Sequence, residues 1–252
     1  MVEYQLINTS CLDLFDTFPD RRWDTIFADP PDGINLKYAT YNDKIPEEEY
    51  VRLLQEWLIL FVSRANTVWF SYNAKWSFRI GTIIDHITEA NSEIEVKPCV
   101  QVFTFGRHNQ KDLANDFRPL VRLRWKNAPL YPDDIRIPSW RLANGDKRAD
   151  PRGRVPGDVF HFPRVTGNSK QRRRWCPTQL HEGLIERCLR MTTPANGTVL
   201  DPFAGTGTVL RVCKQLGYSC TSTEIETLYC DEIAKEHELR VSYLNTTDMH
   251  RA

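Results

Sequence analysis

At 252 residues the chain is long enough for one large α/β domain with an inserted segment, or for two small domains. It is 41% hydrophobic and 26% charged, ordinary for a globular protein, and its 33 Lys/Arg are balanced by 33 Asp/Glu. Zero net charge excludes a uniformly basic nucleic-acid binder, and the longest apolar stretch, Trp57–Val62, is too short to cross a bilayer.

The spacing of apolar residues predicts a short strand at Tyr4–Asn8 and a buried one at Asp24–Asp29. The second runs into Pro30, Pro31 and Asp32. The two prolines have fixed φ and no N–H, so a carboxylate at the strand end is followed by a rigid turn. Pro46 and the acids Glu47–Glu49 open a helix that runs to about Ala65, with Leu53, Leu54, Trp57, Leu58 and Phe61 on one face. A strand at Thr67–Tyr72, a helix at Trp76–Ala90 and a strand at Val96–Phe105 follow.

Periodicity fades from Arg107 to Arg174, where seven prolines fall in 68 residues and 17 Lys/Arg outnumber 7 Asp/Glu. This excess of ten positive charges sits in an acidic remainder, a distribution that suits a phosphate-backbone partner. Leu120–Trp125 and Val159–Phe162 read as strands, the rest as functional loops. Helical pattern returns at Thr178–Met191; then come a strand at Thr198–Leu200, a glycine turn, a helix to about Leu216, a strand at Ser219–Glu224 and a last helix from Thr227. Strands alternating with helices predict an α/β fold with a doubly wound, mostly parallel sheet. The seven cysteines form no CxxC, and Cys213, Cys220 and Cys230 fit no standard zinc spacing, so no metal is expected. With no N-terminal signal pattern, a reducing cytoplasm is the expected location.

Residues 199–207 read VLDPFAGTG, and Glu224 ends the next strand. Strand, glycine turn, helix, strand and acid suit a nucleoside, with Gly205 and Gly207 allowing close backbone approach and Glu224 taking the ribose hydroxyls. A P-loop lysine is absent, and the third dinucleotide glycine is Leu210. Asp201 would repel a pyrophosphate but welcome the ammonium and sulfonium of S-adenosylmethionine.

FADPP resembles the catalytic (D/N/S)PP(Y/F/W) motif of amino-methyltransferases, and VLDPFAGTG resembles their cofactor motif. Their order, with a basic segment between, is like the β class of DNA amino-methyltransferases. NTSCLDLFDTFPDRRWDTIFADPP and GDVFHFP…CPTQLHEGLIERCL are similar to further stretches of that family. The resemblance covers about two thirds of the chain. It implies a Rossmann-like methyltransferase fold in three parts: a catalytic half at 1–106, a target-recognition insert at 107–174, and a cofactor half at 175–252. It implies S-adenosylmethionine as cofactor, double-stranded DNA as partner, and methyl transfer to a flipped base, adenine N6 first and cytosine N4 second. A homodimer is an expectation of the resemblance alone.

On that basis Asp29, Pro30, Pro31 and Asp32 are the catalytic candidates. Ser10, Cys11, Asp29, Pro177, Thr178, Gln179, Asp201, Pro202, Phe203, Gly205, Gly207, Thr208 and Glu224 are the cofactor candidates. Arg118, Arg122, Arg124, Arg141, Arg152, Arg154, Arg172, Arg173 and Arg174 are the DNA candidates, for phosphates or guanine edges. The chain departs from the family at Asp32, where an aromatic residue normally stacks on the base. Tyr38, Tyr41 or Tyr72 would supply a substitute ring; alternatively Asp32 contacts the base edge, or activity is weak. Ser10 and Cys176 are two smaller departures. The rival readings are an RNA or protein-amide methyltransferase, and a binding relative that transfers nothing.

Overall fold

The computed structural model describes residues 2–103 and 111–244. The last two residues of the expected strand Val96–Phe105, and the start of the basic segment, lie outside the described residues.

Among the described residues, one sheet of nine strands organises the fold: β1 (Tyr4–Asn8), β2 (Trp23–Ala28), β3 (Ala65–Ser71), β4 (Ile94–Val102), β5 (Phe117–Trp125), β6 (Val159–His161), β7 (Thr198–Asp201), β8 (Ser219–Glu224) and β9 (Val241–Tyr243). Their order is β6-β4-β5-β3-β2-β7-β8-β1-β9. Every pairing is parallel except those of β5, which runs antiparallel to β3 and to β4.

The helices are α1 (Cys11–Thr17), α2 (Glu47–Arg64), α3 (Ser77–Ala90), α4 (Trp140–Ala143), α5 (Glu182–Thr192), α6 (Thr208–Leu216) and α7 (Thr227–His237). Successive side chains of a strand point to opposite faces, and here both faces are dry. Ile26, Ala28, Val68 and Phe70 join one core with residues of α1, α2 and α3. Their neighbours Phe27 and Trp69 join the other, with α5, α6 and α7. This explains why Ile26–Ala28 and Val68–Phe70 read as unbroken apolar runs.

The sequence pattern locates α2, α3, β7, α6 and β8 within a residue or two. It misses α1, whose seven residues are too few to show a period, and β9, three residues at the sheet edge. The expected helix at Thr178 begins at Glu182, because His181 is its N-cap, its Nδ1 accepting from the Gly183 N–H at 3.1 Å. The expected strands Leu120–Trp125 and Val159–Phe162 are β5, which starts three residues earlier and is threaded between β3 and β4, and β6, which joins the far edge; 162–174 lies outside the sheet, and so does 126–158. Arginine–aspartate pairs knit that part together: Arg136 with Asp133 and Asp150, Arg152 with the same two acids, and Arg141 and Arg148 with Asp146.

The topology sets the site. β2 and β7 lie side by side at the centre, with Ile26 opposite Leu200, so the acids ending them, Asp29 and Asp201, emerge at one edge. Chain connections diverge to either side of this pair, the crevice where open α/β sheets bind ligands. Because β5 runs the other way, its start lies at the same edge, with Leu120 opposite Ser71 and Arg118 just beyond.

Candidate active site

Two cavities open at this edge and share Asp29 and Thr178–Leu180 in their walls. The first, about 250 Å³, lies over the carboxyl ends of β7 and β8. Ser10, Cys11, Asp29, Thr178, Gln179, Asp201, Pro202, Phe203, Gly205, Thr208 and Glu224 line it, which brings together eleven of the thirteen cofactor candidates. Pro177 lines the other cavity, and Gly207 caps α6 instead.

Gly205 and Gly207 have φ of +53° and +68°, the left-handed region that glycine enters without strain. A Cβ on Gly207 would also press on Ile233 at 3.1 Å. The turn they make lets the Gly205 N–H donate to Glu224 Oε2 at 2.7 Å, while Glu226 N–H donates to Oε1 at 2.9 Å. Glu224 is thereby fixed at the cavity wall, with lone pairs left for hydroxyls. Burial pushes its carboxyl up, and the backbone bonds oppose this.

Asp201 is 2% exposed, and its Oδ2 has no partner, while Oδ1 accepts from the Phe203 N–H at 3.3 Å. Burial drives its carboxyl well above the usual range, with Glu224 and Asp29 adding to the rise. An orphaned carboxylate oxygen in a cavity wall is a site for a cationic or N–H-bearing ligand. The cavity therefore fits S-adenosylmethionine. Ser10 is less available than expected: its hydroxyl caps α1, accepting from Asp13 N–H at 3.1 Å and donating to Asp13 Oδ2 at 2.8 Å.

The second cavity, about 520 Å³, has Asp29, Asp32, Phe103, Phe117, Arg118 and Arg164 in its wall. Asp32 is 7% exposed. The Trp76 indole N–H donates to its backbone carbonyl at 2.7 Å, and Tyr50 O–H donates to that of Pro31, so the turn is clamped from α2 and from the start of α3. The Asp32 side chain faces Arg118, whose Nη1 lies 3.0 Å from Oδ1, while Nη2 lies 2.6 Å from Asp29 Oδ1. Burial raises the Asp29 carboxyl; Arg118 opposes the rise and Asp32 adds to it.

The loop after the turn packs back onto the start of α7. Asp43, 1% exposed, accepts from the N–H groups of Gly33, Ile34 and Leu36. Glu226 accepts from Thr40 N–H at 2.6 Å, Thr40 Oγ1 at 2.7 Å and Tyr41 N–H. Glu226 escaped the sequence reading; its only local signal is a second acid two residues after Glu224.

The three substitute rings separate. Tyr38 and Tyr41 line the first cavity, their rings 5.8 Å apart, and Tyr72 packs on Phe70 and lines neither. The rings in the second cavity are Phe103 and Phe117. The DNA candidates separate too. Arg118 lies in the site. Arg124 is 9% exposed and bonded to Glu95 and to the carbonyls of Lys126 and Ala128, so it serves the sheet. Arg122 is half-buried over Trp69, and Arg173 is held by Glu236 at 2.5 and 2.8 Å. Arg172 donates to the Pro177 carbonyl at 3.3 Å. Arg141, Arg152, Arg154 and Arg174 are on the surface. No group of residues that could hold a metal occurs among the described residues, and none of their helices is long and apolar enough to cross a membrane.

The profile of a family described as DNA methylase, of the N6/N4 type, matches residues 23–236. The Type II methyltransferase M.BglII of Bacillus subtilis is 30% identical over 252 residues, covering 90% of this chain and 67% of its own. M.ScaI of Streptomyces caespitosus is 33% identical over 248 residues, covering 90% of this chain and 78% of its own. Among solved structures, PvuII DNA methyltransferase (cytosine-N4-specific) superposes with a TM-score of 0.70 at 12% identity, over 100% of this chain and 92% of that one. The M1.HpyAVI–SAM complex gives 0.66 at 19% identity, over 94% and 100%. These structural likenesses concern the fold. The chain belongs to the DNA methylase family of N6 and N4 amino-methyltransferases, which use S-adenosylmethionine.

Proposed function

We propose that the chain methylates the exocyclic amine of a base flipped out of duplex DNA. The observation that carries this is the meeting of the two cavities at Asp29: one has the acids and glycine turn suited to the cofactor, the other is large enough for a base. Bound S-adenosylmethionine supplies an electrophilic methyl on a positively charged sulfur. Asp201, Gly205 and Glu224 would hold it, and Asp29 would face the amine. An exocyclic amine is a poor nucleophile because its lone pair is conjugated with the ring. Asp29 and the Pro30 carbonyl would accept its two N–H hydrogens and turn the lone pair out of the ring plane. Asp29 then takes the proton released as the nitrogen is alkylated. The prolines and the clamps on the turn hold these acceptors in place beforehand, so little reorganises at the transition state.

Two amines fit this scheme, adenine N6 and cytosine N4. By resemblance the acid that opens the DPP turn favours adenine, whereas the arginine beside it favours cytosine. Arg141 and Arg152 keep 57% and 59% of their side-chain surface exposed in their ion pairs, and such pairs contribute at most about 1 kcal/mol. Arg141 and Arg152 can therefore exchange their acids for phosphates, joining Arg154, Arg172 and Arg174 as backbone contacts.

The test is transfer of a deuterated methyl group to unmethylated duplex DNA of mixed sequence, read as labelled nucleosides by mass spectrometry. Wild type should label an exocyclic amine. Asp29→Ala should lose transfer by at least about a hundredfold, with cofactor affinity retained. Full turnover by Asp29→Ala would refute the scheme.

A further inference from the structure

Arg118 is anchored at three points. Nε donates to Ser71 Oγ at 2.7 Å, Nη2 to Asp29 Oδ1 at 2.6 Å, and Nη1 to Asp32 Oδ1 at 3.0 Å. Ser71 ends β3 and Asp32 ends the proline turn, so two separate elements fix the plane of the guanidinium beside the catalytic acid. Arg118 lines the second cavity with both aspartates. A guanidinium carries five N–H donors. Three are used in these bonds, which leaves two, while a carboxylate has about four acceptor sites. The two left over are on Nη1 and Nη2, each nitrogen anchored by its other hydrogen, and Arg118 stands in the cavity wall next to the amine acceptor.

A flipped base offers its Watson–Crick edge to such a wall. Cytosine reads donor, acceptor, acceptor along that edge: the N4 amine, N3 and O2. Adenine reads donor and acceptor, the N6 amine and N1, and then a C2–H that accepts nothing. Asp29 with Arg118 reads acceptor, donor, donor, the complement of cytosine and the pattern guanine shows to cytosine in a duplex. With adenine, one N–H of a largely buried arginine would face carbon. We propose that Arg118 is a specificity-determining residue that reads N3 and O2 of a flipped cytosine, and that Asp32 is the positioning residue that holds it there. The target amine is then cytosine N4. Asp32 thus has a reason to stand where an aromatic residue would otherwise be: it gives up a stacking ring and fixes the donor pair.

This rests on the amino-transfer reading above, and the same labelling experiment separates the two. Labelled N4-methyldeoxycytidine as the main product is the expected result. Labelled N6-methyldeoxyadenosine as the main product overturns the cytosine assignment and leaves amino transfer standing. No labelled nucleoside, with calorimetry showing S-adenosylmethionine bound, overturns amino transfer itself.

The residue roles need a second readout. Once the labelled site is mapped, kcat/KM is measured on synthetic duplexes carrying cytosine or adenine at the target position. Wild type should prefer cytosine by about ten- to a hundredfold, the cost of one unpaired buried N–H. Arg118→Gln and Asp32→Asn should each shrink that ratio by about tenfold or more with cofactor affinity unchanged. A merely structural role would lower both rates and leave the ratio alone, and that outcome would overturn the assignment. Should Arg118→Gln not fold, Asp32→Asn, which keeps shape and removes charge, carries the test.

Discussion

Glu226 ties the loop that follows the Asp29–Asp32 turn to the start of α7, and removing its carboxylate should release that loop. Its side chain makes no cap bond to α7, so Glu226→Ala leaves that helix intact and isolates the tether. Three donors converge on the carboxylate, from Thr40 N–H, Thr40 Oγ1 and Tyr41 N–H. A hydrogen bond to a charged acceptor contributes about 1.5–3 kcal/mol. The three are not additive, and the freed amides re-bond to water, so about 2 kcal/mol is taken for the set. That is about a thirtyfold larger opening constant. Amide hydrogen exchange of the peptide spanning Thr40 and Tyr41 reads it directly, and protection should fall by about that factor. The pH dependence has a definite sign. Burial opposes the charge of Glu226, but its bonds from Thr40 and Tyr41 win and hold the carboxyl below the usual range. A depressed carboxylate contributes its stabilisation above the unfolded value, roughly 4.3, and loses it as pH falls through the lower folded value. Corrected for intrinsic exchange, wild-type protection should hold from pH 8 to about 5 and decay below about 4. Glu226→Ala should show no such decay. Exchange within about threefold of wild type in the variant would refute the tether.

Three further outcomes are expected. Glu224→Ala should weaken S-adenosylmethionine binding by tenfold or more in calorimetry, since it removes the acid at the cavity wall and frees the Gly205 and Glu226 N–H groups; an unchanged Kd would remove Glu224 from the site. The proposed transfer requires Asp29 as a carboxylate, and burial raises its carboxyl, so the acid limb of the kcat profile should lie above the ordinary aspartate value of about 4; Asp32→Asn, by removing the neighbouring negative charge, should move that limb to lower pH. Leu58, fully buried in α2, should cost about 2–5 kcal/mol as Leu58→Ala, seen as a lower denaturation midpoint at constant m.

What the sequence by itself determined was local. Asp29 and Asp201 each end an apolar run, Gly205 and Gly207 sit in one tight turn, and Glu224 closes the next strand. In each case the neighbours along the chain supply the physical constraint: fixed φ at proline, positive φ at glycine, two-residue alternation in strands. Those features were enough for the doubly wound sheet and for many of the residues that line the first cavity. The tertiary structure alone decided what depends on distant partners. The direction of β5 is set by its pairing with β3 and β4, and only that reversal brings Arg118 to the sheet edge where Asp29 emerges, 89 residues earlier in the chain. Glu226 reaches Thr40 across 186 residues in the same way. A charge read along the chain has no address: Arg118, Arg124 and Arg173 look alike in a basic segment, yet the fold gives one to Asp29 and Asp32, one to the sheet and one to α7. The aspartate in place of an aromatic at position 32 acquires its meaning only there, because the electrostatics of a buried carboxylate are set by the group it faces.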